Sequence, residues 1–131
     1  MNPFFLFHYL QIHTNFQYKI LPARCKVNFQ TNASHFKKTS HNAPHTDKGD
    51  TPPDHWTMIY YVNDSDGDTL IFNETAQNRP VKNFTLKQKA TPKKGRVVIF
   101  SGNTFHCGTT PITSKFRIVA NLNFYVRPLG N

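Results

Sequence analysis

The sequence predicts an all-β fold, a sandwich or barrel of about seven short strands. Three observations predict it. The 9 Pro and 6 Gly among 131 residues point to frequent chain reversals. Much of the core bulk comes from 12 Phe, 5 Tyr and one Trp, residues that suit a pleated surface. Ala23, Cys25, Val27 and Phe29 alternate with Arg24, Lys26, Asn28 and Gln30, the period of two expected when one strand face is buried and the other meets water. The apolar residues of that pair of faces are expected to point inward.

At 15.1 kDa the chain has material for one hydrophobic core and not for two, so a single domain over residues 1–131 is expected. Residues 2–12 read as a short helical segment, with Asn2 as N-cap and Pro3 in the first turn. The apolar opening lacks the basic start and small-residue cleavage site of a secretory signal and is too short to span a bilayer, so it reads as a core-packing segment. After the strand at 23–30, polar stretches 31–44 and 48–55 read as loops on either side of His45-Thr46-Asp47. Residues 56–62 and 69–73 read as a hairpin around the turn Asn63-Asp64-Ser65-Asp66-Gly67-Asp68, and residues 83–90, 96–101 and 116–126 complete the strands.

Sixteen Lys and Arg against seven Asp and Glu give a formal charge of +9, which favours acidic partners: nucleic acid, an anionic surface, or a substrate bearing carboxylates. Cys25 and Cys107 form no CxxC pair, which argues against a disulfide scaffold or zinc ribbon and for a reducing, cytoplasmic setting. No membrane association is expected.

His45 and Asp47 are two apart, so on extended backbone both project from one face and reach one ion. HxD pairs arise readily by chance, and a third ligand must come from elsewhere. His106, just after the apolar run 96–101, is the candidate. Two imidazoles and one carboxylate on one side of an ion are the facial triad of non-haem iron(II) oxygenases. Along Phe116–Val126, Arg117, Val119, Asn121 and Asn123 share a face. An inward arginine flanked by asparagines is costly in a plain core and sensible in a polar pocket, where a planar guanidinium grips a carboxylate bidentately. Lys115 shares that face and competes for the role.

These residues, with Pro44-His45-Thr46-Asp47, Ile59-Tyr60-Tyr61-Val62-Asn63-Asp64, Gly67-Asp68-Thr69-Leu70-Ile71-Phe72 and Pro92 to Phe100, resemble in order and spacing the prolyl-hydroxylase-like branch of the iron(II)/2-oxoglutarate dioxygenases. The resemblance runs from about Asn28 to Val126. It implies a double-stranded β-helix of the jelly-roll or cupin type, with iron(II) on His45, Asp47 and His106. It also implies 2-oxoglutarate on Arg117 with Asn121 and Asn123 in the same pocket, dioxygen as co-reactant and ascorbate as a further requirement. Tyr61 is nominated to hydrogen-bond the same carboxylate as the arginine. The family's Gly-Gly-Glu is here Gly67-Asp68-Thr69, which puts any role for that turn in doubt. The implied activity is hydroxylation, with a peptide or protein-borne proline expected ahead of a small molecule and Lys37, Lys38 and Lys48 favouring acidic flanks. The alternatives are a nucleic-acid demethylase, whose second arginine is replaced here by Asn123, and a non-catalytic cupin-like binding protein.

Overall fold

The computed structural model describes residues 17–35, 41–47 and 52–130. The expected helical segment at 2–12, Lys37, Lys38 and Lys48 lie outside the described residues. Seven strands run in order: β1 (Tyr18–Thr31), β2 (His55–Tyr61), β3 (Thr69–Thr75), β4 (Leu86–Ala90), β5 (Val97–Ser101), β6 (Thr104–Gly108) and β7 (Phe116–Pro128). They make a four-stranded antiparallel sheet, β1-β7-β2-β5, and a three-stranded one, β4-β3-β6. The architecture is the expected double-stranded β-helix. No helix among the described residues is long and apolar enough to cross a membrane.

β2 lies between β7 and β5, and its sequence, His-Trp-Thr-Met-Ile-Tyr-Tyr, is bulky on both faces, as a central strand covered on both sides requires. Its inward residues Ile59 and Tyr61 pack with Phe100 and Val119 of the same sheet and Ile71 and Ala90 of the other, which closes the sandwich. Its outward Met58 packs with Leu122 and Phe124 on the opposite side of the large sheet. Phe72, Phe105 and Cys107 form a third cluster. Burial of each such side chain contributes roughly 1.5–3 kcal/mol before ordering costs.

Two expectations are corrected and one is made more specific. Residues 69–73 are not the hairpin partner of 56–62, because β2 and β3 belong to different sheets and the 63–68 segment crosses between them. His106 follows the run 96–101 as expected and itself lies on a strand. It sits within β6, paired with Ile71 of β3. Finally, β1 alternates as expected with its faces exchanged: Val27 is 64% and Phe29 60% exposed, while Lys26, Asn28 and Gln30 line the interior cavity. The reason is a bulge. Pro22 pairs with Phe124 and Arg24 with Asn123, leaving Ala23 as the extra residue that reverses the phase of everything after it.

Candidate active site

β6 presents His106 to the interior, where Phe100 meets its ring edge-on with centroids 4.8 Å apart. His45 reaches the same place from a segment that runs beside β6, its N–H donating to the His106 carbonyl and its carbonyl accepting from the His106 N–H, both at 3.0 Å, while Asn42 N–H donates to the Gly108 carbonyl at 3.0 Å. Each imidazole has its Nδ1 within 3.0 Å of a carbonyl two residues earlier, Ala43 for His45 and Thr104 for His106. Those contacts select the tautomer that leaves both Nε2 atoms as lone-pair donors.

Asp47 completes the set. Its Oδ2 accepts hydrogen bonds from the Thr57 hydroxyl at 2.6 Å and the Asn123 amide at 2.7 Å, and Asn123 also donates to Thr57 at 3.1 Å. That clamp turns Oδ1 toward the imidazoles, 3.3 Å from Nε2 of His106 and 3.9 Å from Nε2 of His45. Burial alone would raise the Asp47 pKa, but the adjoining His106 imidazole, the Thr57 hydroxyl and the Asn123 amide outweigh it and hold the group ionised.

The three ligand atoms lie within 4.8 Å of one another. The donor set suits a divalent transition metal, and the buried Nε2 of His106 has no hydrogen-bond partner, as expected of an atom whose partner is a metal. The sequence placed these three residues together, and so does the fold.

Arg117 is buried at 4% exposure at the deep end of a cavity of about 250 Å³ that also touches His45, His106, Asn121 and Thr69. Its Nε donates to the Gly67 carbonyl at 2.6 Å, one terminal nitrogen to Gln30 Oε1 at 2.9 Å and the other to Thr69 Oγ1 at 2.9 Å. Burial presses its pKa down, with the fields of Tyr61, Asp68 and Cys107 opposing. No carboxylate among the described residues forms an ion pair with it, so a buried cation faces the cavity with neutral hydrogen-bond partners and no counter-ion. Two glycines make the space. A Cβ at Gly67 would stand 2.8 Å from Arg117 Cδ and 2.7 Å from the Thr109 carbonyl, and one at Gly108 would stand 3.3 Å from the guanidinium.

The remaining sequence candidates fall in different places. Lys115 is exposed, outside the cavity. Tyr61 is fully buried, and its hydroxyl donates to Thr69 Oγ1 at 2.7 Å, so Thr69, accepting from both Tyr61 and Arg117, stands between the tyrosine and the cavity. Burial raises the Tyr61 pKa and keeps it a donor. Asn121 lines the cavity, and its Oδ1 is buried without a partner. Asn123 commits its amide to Asp47 and borders a separate hollow, so its place is behind the metal ligand.

Sequence reasoning missed Thr57, Gln30, Thr69 and Gly67. The last two belong to the turn whose departure from the family pattern left its role in doubt. Gly67, as the one residue type without a Cβ in a turn before a strand, carried the only available signal.

The profile of the family described as "2OG-Fe(II) oxygenase superfamily" matches residues 30–125. Among curated proteins none matches in sequence. Similar solved structures include one described as "Non-heme monooxygenase, ThoJ-Ni complex", at TM-score 0.62 and 12% identity over 85% of this chain and 47% of that one. Another is the "non-heme alpha ketoglutarate dependent epimerase SnoN from nogalamycin biosynthesis", at TM-score 0.61 and 12% identity over 81% and 49%. A third is AviO1 from Streptomyces viridochromogenes Tue57, at TM-score 0.54 and 13% identity over 86% and 54%. These identities show a shared fold, and the chain spans about half the length of each of these structures. The profile covers most of the sequence and takes in His45, Asp47, His106 and Arg117, so the chain belongs to the 2OG-Fe(II) oxygenase superfamily.

Proposed function

We propose that the chain is an iron(II)- and 2-oxoglutarate-dependent dioxygenase that hydroxylates a small molecule. One observation carries the reading: an ionised carboxylate and two imidazole lone pairs converge beside a cavity that is lined by both imidazoles and by a buried arginine with no ion-pair partner among the described residues. His45 and His106 would hold iron(II) through Nε2 and Asp47 through Oδ1, with Thr57 and Asn123 fixing the carboxylate. Arg117 would take the distal carboxylate of 2-oxoglutarate, with Thr69 oriented beside it by Tyr61. The bound metal, cosubstrate and dioxygen supply oxidative decarboxylation to succinate and carbon dioxide and oxidation of a substrate C–H bond. The protein's part is to bind, orient and exclude water. No side-chain general base is required.

The motif order that resembles prolyl hydroxylases supports hydroxylation as the outcome. The narrow cavity supports a small substrate over a protein-borne proline, and the similar structures described as a monooxygenase and a biosynthetic epimerase agree with that choice. A peptide remains the second reading, favoured by the long strand β1, which borders the cavity and is an edge of its sheet among the described residues, where an added strand could pair. The demethylase reading loses support, because Asn123, at the position of the second arginine, is bound to Asp47.

The test is succinate release with iron(II), 2-oxoglutarate and ascorbate, alongside calorimetric binding of manganese(II) and then 2-oxoglutarate. Ordered binding of both, lost in His106→Ala, is expected. Succinate release at the same rate in His106→Ala would refute the assignment. A panel of small acids, proline peptides and methylated oligonucleotides then separates the substrate classes by the rise in succinate each produces.

A further inference from the structure

The bulge at Ala23 decides which side chains of β1 meet the metal centre. Before it, Ile20 and Pro22 lie on the outer face, opposite Val126 and Phe124, and Ile20 packs on the Met58–Leu122–Phe124 cluster. Had the ladder continued without an extra residue, Arg24 and Lys26 would have followed Ile20 and Pro22 outward, and Cys25, Val27 and Phe29 would have faced the cavity. The bulge reverses this. Arg24 now pairs with Asn123 and Lys26 with Asn121, on the face that carries the cavity, where both side chains remain exposed at its mouth. Among the described residues nothing buries Cys25, Val27 and Phe29 on the other face, so the bulge exchanges three apolar side chains for two cations on the cavity side.

The two cations border adjoining spaces next to the triad residues. Lys26 lines the cavity that contains His45 and His106, and Arg24 lines a neighbouring hollow of about 310 Å³ bounded by Asp47, His55, Asn123 and Tyr125. Among the described residues neither side chain makes a hydrogen bond or ion pair, whereas the Arg117 side chain makes three hydrogen bonds and Arg127 is paired with Asp54. Among the described residues no acid lines either space except Asp47, which is turned to the imidazoles and clamped by Thr57 and Asn123. Arg117 lies opposite Gln30 on the ladder, roughly 13 Å of strand from Lys26, so a small dicarboxylate seated on Arg117 leaves Lys26 and Arg24 for a second anion. Two residues apart on one face, their Cα atoms are about 7 Å apart, a spacing from which two long side chains converge on one anionic group.

We propose that Arg24 and Lys26, set by the bulge at the mouth of the cavity, form the recognition site for the primary substrate, and that this substrate is a small molecule carrying a carboxylate or phosphate close to the carbon that is oxidised. The inference rests on the oxygenase reading for its meaning, yet the site itself is defined by the ladder and is testable apart from it.

The test uses the full chain, saturated with zinc(II) and N-oxalylglycine so that the triad and Arg117 are occupied, titrated with matched pairs of small probes. Each pair is an acid and its neutral amide on an aliphatic, aromatic or hydroxy-acid skeleton, and phenyl phosphate against phenol distinguishes phosphate from carboxylate. At least one anion should bind roughly tenfold tighter than its neutral partner, as a charge-assisted contact implies. The preference should vanish in the double variant Arg24→Gln/Lys26→Gln, survive in Lys26→Arg, and survive in Lys115→Gln, which removes a cation away from both spaces. Equal binding of acid and neutral partner across the panel overturns the proposal, as does a preference that persists in the double variant. So does tight binding of a single-stranded oligonucleotide that depends on Arg24 and Lys26 while no small acid is preferred. Repeating the titrations without zinc(II) and N-oxalylglycine keeps the two readings apart. A chain that binds neither loses its oxygenase assignment and still reports its preference for acids.

Discussion

The two histidines of the triad have ring centroids 4.7 Å apart and are held in different ways. His106 sits in β6, its side chain 4% exposed, its ring packed against Phe100 and its backbone locked into the ladder with β3. His45 comes from a segment outside the named strands that meets β6 and the residue after it only at isolated bridges, and its side chain is 52% exposed. One half of the metal centre is therefore built on a strand of the core, and the other is delivered by a loop. Loops that carry function on a rigid scaffold are a general device, and here the division runs through a single ligand set.

Substitution of the two histidines tests that division most directly. His106→Ala should lower manganese(II) affinity by more than roughly 100-fold, since loss of a ligand exceeds the effect of losing one of its supports. It should also lower thermal stability, because it opens a void beside Phe100. His45→Ala should lose affinity too, with less effect on stability, since solvent fills the vacated position. Calorimetry and thermal melts check both. Equal destabilisation by the two variants would mean that the loop is as much part of the core as the strand.

At the cosubstrate end the comparison is between a buried and an exposed cation. Arg117→Ala should weaken 2-oxoglutarate binding by roughly 100-fold, the scale for truncating one partner of a buried charge-assisted pair. Lys115→Ala should change it by less than about twofold, as surface charges do. Titration of metal-loaded protein decides it, and a larger loss at Lys115 would move the role there.

How much of this was legible from sequence follows the same line. His106 and Arg117 stood out in the sequence because their chemistry is rare on core strands, and His45 and Asp47 because two ligand types two residues apart can reach one ion; the fold brings the three triad residues together. The facing of β1 was not legible. Its alternation is plain, but a single bulged residue, invisible in the pattern, exchanges the faces. The β2–β3 connection also reads as a hairpin by local turn chemistry, although Asn63 to Asp68 joins two sheets. Which sheet a strand enters depends on partners far away in sequence, and no local signal reports it. The grip of Thr69 and Gly67 on Arg117 was hidden for the same reason, being a contact between residues about fifty positions apart.

Between ligand and core lies the clamp on Asp47. Thr57→Val keeps the shape of the side chain and removes the hydroxyl that donates to Oδ2. The aspartate then keeps only the Asn123 amide on that oxygen and is free to turn. A loss of metal affinity of roughly tenfold is expected, at the lower end of the range for residues that orient a ligand. Asn123→Ala should cost as much or more, since it removes a donor to both Asp47 and Thr57. If both variants bind manganese(II) as the wild type does, the carboxylate is positioned by the His45 segment alone.

The smallest effect concerns the support behind Arg117. Asp66 lies in the crossover between the sheets and accepts the backbone amides of Ile112 and Thr113 at 2.9 Å and of Ser114 at 3.0 Å, latching the turn before β7 to the residue next to Gly67. Desolvation opposes ionisation there, but the three amides and the Ser114 side chain more than offset it, so the folded-state pKa lies well below the ordinary value. A depressed carboxylate pKa contributes stability that is present above the unfolded value of about 3.9 and is lost as pH falls toward the folded one. The wild type should therefore lose stability progressively below about pH 4, and Asp66→Asn should flatten that part of the profile while lowering stability at pH 7 by about 1–2 kcal/mol, the scale of charged hydrogen bonds discounted for solvent screening. Because Gly67 O holds Arg117 Nε, the same variant should weaken 2-oxoglutarate binding by a few-fold and leave manganese(II) binding to the triad unchanged. A parallel loss of metal binding would show that the two ends of the cavity do not fail independently, and the division between strand-built and loop-built halves would have to be redrawn.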